Sequence, residues 1–158
     1  MSSTIIVGFF ALAGGEHVKT VKANSLTATY HCVYNTVIQC TSGVLFPASL
    51  RVYSPYKDMV LPDDMVVFVI AKASIPASVP EQTILLEAMW VVAVPGDPTS
   101  ETYEASVPDF PYPVVIGLGS VSSQPRVLSD GTSRAFTVLS SDYVRDSRLE
   151  SSVRWVFF

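Results

Sequence analysis

Catalysis at neutral pH needs a positioned nucleophile, a base or a metal, and this 158-residue chain is thin in all three. Its histidines are His17 and His31 and its cysteines are Cys32 and Cys40. A Ser/His/Asp arrangement would have to use one of those histidines, and neither adjoins a turn that could expose a nucleophile. No G-x-S-x-G, H-E-x-x-H or G-x-x-x-x-G-K-S/T occurs. Adjacent His31 and Cys32 point to opposite faces of a strand, and no C-x-x-C or H-x-x-x-H spacing exists, so neither a metal nor a cofactor is expected. Cys32 and Cys40 lie in one extended run, which at about 3.3 Å per residue holds them roughly 26 Å apart, too far for a disulfide. The run Val114-Val115-Ile116 before Gly117-Leu118-Gly119 has the outline of a dinucleotide turn. Ser120 to Pro125 cannot open the helix such a turn requires, so Gly117 and Gly119 read as a bulge or sharp bend. Asp63-Asp64, after Pro62, reads as a turn rather than an acid/base pair. The chain reads as a non-enzyme.

What remains is aromatic side chains interleaved with bases. Arg51 and Tyr53 share one strand parity, and Tyr56 and Lys57 follow in the adjoining turn; Tyr30, Tyr34, Trp90, Arg134, Phe136, Arg154 and Trp155 add further candidates. Single-stranded nucleic acid, DNA or RNA, is held by such groups because bases stack on aromatic faces while Lys and Arg meet phosphates. Sugars stack on aromatic faces as well, which makes a carbohydrate a third class of ligand. The competing reading of each aromatic is core packing. The ending Val153-Arg154-Trp155-Val156-Phe157-Phe158 is too apolar to sit in water, so it reads as a core strand or as an interface. Arg154, Trp155, Phe157 and Phe158 are the candidate interface residues of a protein-interaction or homo-oligomeric module.

These side chains must be positioned by strands. Hydrophobic residues make up 49% of the chain and charged residues 15%, which excludes a disordered polymer, and the length suits a single domain. Short β-branched and aromatic runs recur between Pro, Gly, Ser and Asp: Thr4 to Ala13, Val18 to Lys22, Leu26 to Gln39, Val44 to Tyr53, Met65 to Ser74, Thr83 to Val94, Pro113 to Val121, Ala135 to Leu139 and Val153 to Phe158. This predicts an all-β Greek-key barrel, with a β-sandwich as the alternative. Along Leu26 to Cys40 the even positions are core-like and the odd ones mostly polar. Met65 to Ala73 and Leu85 to Val94 are apolar on both parities, as central strands are, and their charges Lys72 and Glu87 predict a cross-strand ion pair. Pro95 to Pro113 is a proline-rich acidic loop. Asp130-Gly131 predicts a hairpin turn between Arg126 to Leu128 and Ala135 to Leu139, and Ser141 to Glu150 is the one helical candidate. No internal repeat is visible. The run Ile5 to Ala13 reads as a first strand, with a signal peptide as the alternative; it is too short to span a bilayer, so no membrane partner is expected. With no Asn-x-Ser/Thr sequon, the chain reads as intracellular, nuclear or cytoplasmic.

Net charge is −4, which excludes the bulk basic signature of a duplex binder and makes any nucleic-acid surface local. Residues 1–57 carry +3, residues 58–109 carry −8 and residues 110–158 carry +1. In order and apolar pattern, the N-terminal strand pair, Met65 to Ser74, Thr83 to Val94, Gly117 to Val121 and Arg134 to Val138 resemble the oligonucleotide/oligosaccharide-binding (OB) fold. More narrowly they resemble single-strand-binding domains of the replication-protein-A type, over about residues 20–140. The resemblance implies a five-stranded Greek-key barrel that binds single strands on the face of its second and third strands and on the flanking loops.

Overall fold

The computed structural model describes residues 2–21, 28–55, 59–77, 81–121 and 123–157. Its strands are β1 (Ser3–Ala11), β2 (Ala13–Val21), β3 (Ala28–Gln39), β4 (Leu45–Tyr53), β5 (Val66–Ser74), β6 (Ile84–Ala93), β7 (Val114–Leu118), β8 (Ser120–Val121), β9 (Arg126–Val127), β10 (Arg134–Val144) and β11 (Ser147–Phe157), with one 3-10 turn at Glu104–Ser106. Seven of them form a large sheet in the order β2-β3-β4-β6-β5-β1-β7; β11-β10-β8 form a small one, and β9 also pairs with β10. Among the described residues, no helix is long and apolar enough to cross a membrane.

The large sheet is an open path of hydrogen-bonded strands, yet β2 and β1, which lie five places apart in it, are separated in sequence by Leu12 alone. The chain itself therefore bends the sheet round into a barrel-like curl. Leu12 is buried, its N–H donates to the Met65 carbonyl and its own carbonyl accepts from Asp64 N–H. β4 and β6 run parallel; the other pairs in the sheet are antiparallel.

Alternation along each strand fills the inside of this curl. Ile6 and Phe10 of β1, Cys32, Tyr34 and Ile38 of β3, Ala48 and Leu50 of β4, Val67, Val69, Ala71 and Ala73 of β5, and Ile84 and Leu86 of β6 form one buried cluster. Even positions of β3 thus point inward as the sequence predicts, with His31 a buried exception on the other parity. Cys32 and Cys40 are both free thiols.

Three sequence expectations need correction or refinement. Ser141 to Glu150 is not a helix: β10 and β11 continue in unbroken register to a two-residue link at Arg145-Asp146. Cross-strand pairing to the partner strand outweighs the weak local capping signal at Ser141 and Asp142. Lys72 and Glu87 do face each other in register, but they do not pair. Lys72 reaches Asp142 at 3.0 Å and Glu87 reaches Arg51 at 2.7 Å. The expected strand from Pro113 to Val121 breaks at Gly119, where a side chain would run into the Leu139 carbonyl.

The proline-rich excursion is irregular apart from its 3-10 turn, and it is anchored in the middle. Tyr103 is buried and its hydroxyl accepts from Val66 N–H at 3.0 Å. Gly96, at φ 130°, gives that ring room, since a Cβ there would lie 2.9 Å from Tyr103 Cδ2. The predicted Asp130-Gly131 turn is present, with Gly131 at φ 74°.

The small sheet packs against the large one through a polar seam. Thr4 and Ser140 share a hydroxyl hydrogen bond of 2.7 Å, Ser3 donates to Asp142 at 2.7 Å, and Ser151 accepts from Ile75 N–H at 2.9 Å while donating to the Ala73 carbonyl at 3.1 Å.

Leu50 is fully buried at the centre of the curl. Leu50→Ala is expected to lower the unfolding free energy by about 3 kcal/mol, whereas Val37→Ala, on the exposed parity of β3, should stay within about 0.5 kcal/mol. Urea denaturation of both variants checks the assignment of the faces.

Candidate nucleic-acid interface

The sequence candidates divide by environment. Tyr34 is only 3% exposed, and its hydroxyl accepts from Leu61 N–H at 3.0 Å. Burial pushes its pKa up to about 12, so it is a neutral core group and no stacking platform. Arg51 is held between two carboxylates, Glu87 Oε2 at 2.7 Å and Asp146 Oδ2 at 2.8 Å, with a side chain 12% exposed. It is not presented to a phosphate. Tyr53 is 64% exposed, edge-on to His31 with ring centroids 6.2 Å apart. Tyr30 is half-buried, with Lys19 Nζ 6.0 Å from its ring centre. Tyr56, Lys57 and Phe158 lie outside the described residues.

The tip of the β10–β11 hairpin sits over this first face. Arg145 and Asp146 take positive φ values of 52° and 65°, the backbone that a two-residue hairpin link requires and that L side chains resist. Their side chains fasten the tip to β4. Arg145 Nη2 donates to both the carbonyl and the hydroxyl of Ser49 at 2.7 Å, and Asp146 meets Arg51. Burial lowers the pKa of Arg145, and the neighbouring Arg51 adds to that effect. His31 lies in the same neighbourhood. Burial pushes its imidazole below the ordinary value, Arg51 adds to that push, and Glu87 and Asp146 oppose it.

A different face is free. Ser140 and Asp142 of β10 touch the large sheet, so the residues that share their parity (Phe136 and Val138, with Val153 and Trp155 opposite) face inward. Phe136 is half-buried, edge-on to Phe157 at 5.8 Å, and Trp155 covers Gly117. Arg134, at the end of that row, is exposed. The other parity looks to solvent: Thr137, Leu139, Ser141 and Tyr143, paired in register with Arg154, Ser152, Glu150 and Arg148. Tyr143 is 66% exposed beside Arg148, whose Nε donates to Ser141 Oγ at 2.8 Å. Arg126 extends the same face from β9, opposite Ala135. Arg126 and Arg154 are exposed and make no ion pair among the described residues. Glu150 is the one carboxylate in the two rows.

A cleft of about 850 Å³ opens onto this face. Leu118 and Leu139 supply its apolar lining, Ser2, Ser120, Ser141 and Ser152 its hydroxyls, and Arg148 and Glu150 its charges. Among the described residues, no group of three or more His, Cys, Asp or Glu is placed to hold a metal ion.

With this geometry in hand, comparison with solved structures finds a deletion mutant of the single-stranded DNA binding protein from Thermus aquaticus. The match has a TM-score of 0.50 at 11% sequence identity and covers 99% of this chain and 75% of that one. The two proteins share a fold. No protein-family model and no curated protein matches the sequence.

Sequence reasoning does not bring Tyr143 and Arg148 together, because reading Ser141 to Glu150 as a helix separates them, and it reads Arg126 only as part of a hairpin arm. The alternation on either side of Arg145-Asp146, apolar Val144 and Leu149 against exposed Tyr143 and Arg148, is the signal for a hairpin.

Because the folded pKa of His31 lies below its unfolded value of about 6.5, the unfolded chain binds the extra proton first. Stability is therefore expected to fall as pH drops through 6.5, and His31→Gln should flatten that dependence. Thermal midpoints of the two proteins between about pH 7 and pH 5 measure it.

Proposed function

We propose that this protein is a non-enzymatic module that binds single-stranded nucleic acid on the solvent face of β10 and β11. The observation that carries the reading is a row of three exposed arginines along β9 to β11, Arg126, Arg154 and Arg148, the last beside the exposed ring of Tyr143 and a hydroxyl-lined cleft, in a chain whose net charge is −4. Phosphates call for such guanidinium groups, and a base stacked on one aromatic ring contributes about 1–3 kcal/mol. Arg148 and Arg154 are six residues apart on one strand, about 20 Å, which is long enough for contacts to successive phosphates. The fold shared with a single-stranded DNA binding protein supports the same reading at the level of architecture. The chemistry requires no cofactor.

A second reading, carbohydrate binding, draws on the serine hydroxyls and apolar floor of the cleft. Salt separates the two, because phosphate contacts release counterions and stacking on a neutral sugar does not.

Fluorescence-polarisation titration with labelled single-stranded DNA and RNA of about 15–20 nucleotides, at two salt concentrations, tests the proposal. Binding should weaken steeply with salt. Arg148→Ala combined with Arg154→Ala should lower affinity by about tenfold or more and reduce the salt slope by about 0.7 for each phosphate no longer neutralised. Arg51→Ala should leave the affinity of the folded protein unchanged while lowering its stability. Unaltered binding in the double variant would remove the site, and no binding at low salt would remove the ligand class.

A further inference from the structure

The small sheet repeats the first half of the large one. β1 passes into β2 across Leu12, β2 pairs with β3 and β3 with β4, all antiparallel. In the same order β7 passes into β8 across Gly119, β8 and β9 pair with β10 and β10 with β11, again antiparallel. Short stretches are alike, at unequal spacings. Ile5-Ile6-Val7-Gly8 answers to Val114-Val115-Ile116-Gly117, and Ser49-Leu50-Arg51-Val52 to Ser152-Val153-Arg154-Trp155. Facing agrees as well: Leu50 and Val153 turn inward, Arg51 and Arg154 outward. Unequal connections hide this repeat in the sequence, residues 40–44 between β3 and β4 against 145–146 between β10 and β11.

The two halves differ at the outer edge of their last strand. That edge of β4 is sealed by β6, with Ala48 to Arg51 against Ile84 to Glu87. Among the described residues, the corresponding edge of β11 meets Ser74, whose hydroxyl donates to the Glu150 carbonyl at 3.4 Å, and Ile75, whose carbonyl accepts from Ser152 N–H at 3.2 Å. That bond sets the phase of the strand. The N–H and C=O groups of Ser152, Arg154 and Val156 point away from β10, and those of Arg154 and Val156 have no partner among the described residues. Next to them Val156 is 49% and Phe157 41% exposed, and the buried Trp155 Nε1 lacks a hydrogen-bond partner. An edge of this kind is usually blunted by proline, a bulge or cover; Ser147–Phe157 contains no proline and its register is unbroken.

We propose that Val153 to Phe157 is a dimer edge, which pairs antiparallel with the same segment of a second copy of this chain. The segment is self-complementary. Centred on Trp155, the pairing sets Arg154 opposite the second copy's Val156, so the outward groups of both meet and no like charges are directly opposed. Val153 then faces Phe157, and Trp155 faces its counterpart on the inward side, giving the apolar cross-strand contacts that an edge pair needs. The small sheets of the two copies become one continuous sheet. The proposal is independent of ligand binding, since Arg154 contributes backbone here and its side chain on the solvent face.

Val156→Pro is the decisive variant, because its N–H does not serve β10 and proline there removes an edge donor alone. Sedimentation velocity of the full chain, from low micromolar to hundreds of micromolar, should show a concentration-dependent dimer. Val156→Pro should weaken it by tenfold or more with an unchanged circular-dichroism spectrum. In the wild-type protein, hydrogen exchange at Arg154 and Val156 should slow as concentration rises. A monomer throughout the range, or a dimer indifferent to Val156→Pro, overturns the proposal. Should that variant fail to fold, wild-type exchange decides, and rates at Arg154 and Val156 that ignore concentration overturn it equally.

Discussion

The Arg51 guanidinium ties three elements together at one point. It reaches Glu87 on β6 from its seat on β4, and on its other side takes Asp146 from the tip of the small sheet. A largely buried cation has to be paired, and the pairing used here helps Arg145 on Ser49 and Asp142 on Lys72 to seat the hairpin. With the tip fastened at Arg51 and Ser49, the parity of β10 and β11 is fixed all the way back along both strands. Asp142 falls on Lys72, Ser140 on Thr4, and Arg148, Arg154 and Tyr143 are left facing water. The surface proposed to bind ligand is thus the complement of the surface that Arg51 occupies.

The seam between the two sheets carries a row of polar contacts beside its apolar ones. Hydroxyl to hydroxyl, hydroxyl to carboxylate and side chain to backbone contacts make up that row, and each contributes modestly to stability while demanding good geometry. Such a row fixes position more than it adds stability. Burial pulls the Asp142 carboxyl toward neutrality, yet hydrogen bonds from Ser3 and Lys72 outweigh that and keep its pKa below the usual carboxylate range. Asp142 therefore stays ionised at neutral pH.

Strand alternation makes much of this legible in advance. The long runs of β3, β5 and β6, the Asp130-Gly131 turn, the bend in the glycine pair Gly117 and Gly119 and the irregular proline-rich excursion all follow from local chemistry. Partner choice does not. Lys72 and Glu87 are neighbours in register, and only the arrival of Asp142 and Arg51 from distant elements separates them. Local alternation already puts Tyr34 in the core, whereas Tyr143 faces water only because the hairpin is seated by distant contacts. The Arg145-Asp146 link is hidden in the sequence because its positive φ values are carried by residues that rarely adopt them, fastened there by contacts made on the large sheet.

The anchoring of Tyr103 has an electrical consequence. With that contact in place, Glu104 and Asp109 lie near Phe9, Ala11 and Val66 at one end of β1 and β5. The hairpin meets the opposite end of those strands, at Ser3, Thr4 and Lys72. The exposed carboxylates of Glu104 and Asp109 therefore stand about 20 Å along β1 from the hairpin, beyond the reach of its arginines at physiological ionic strength.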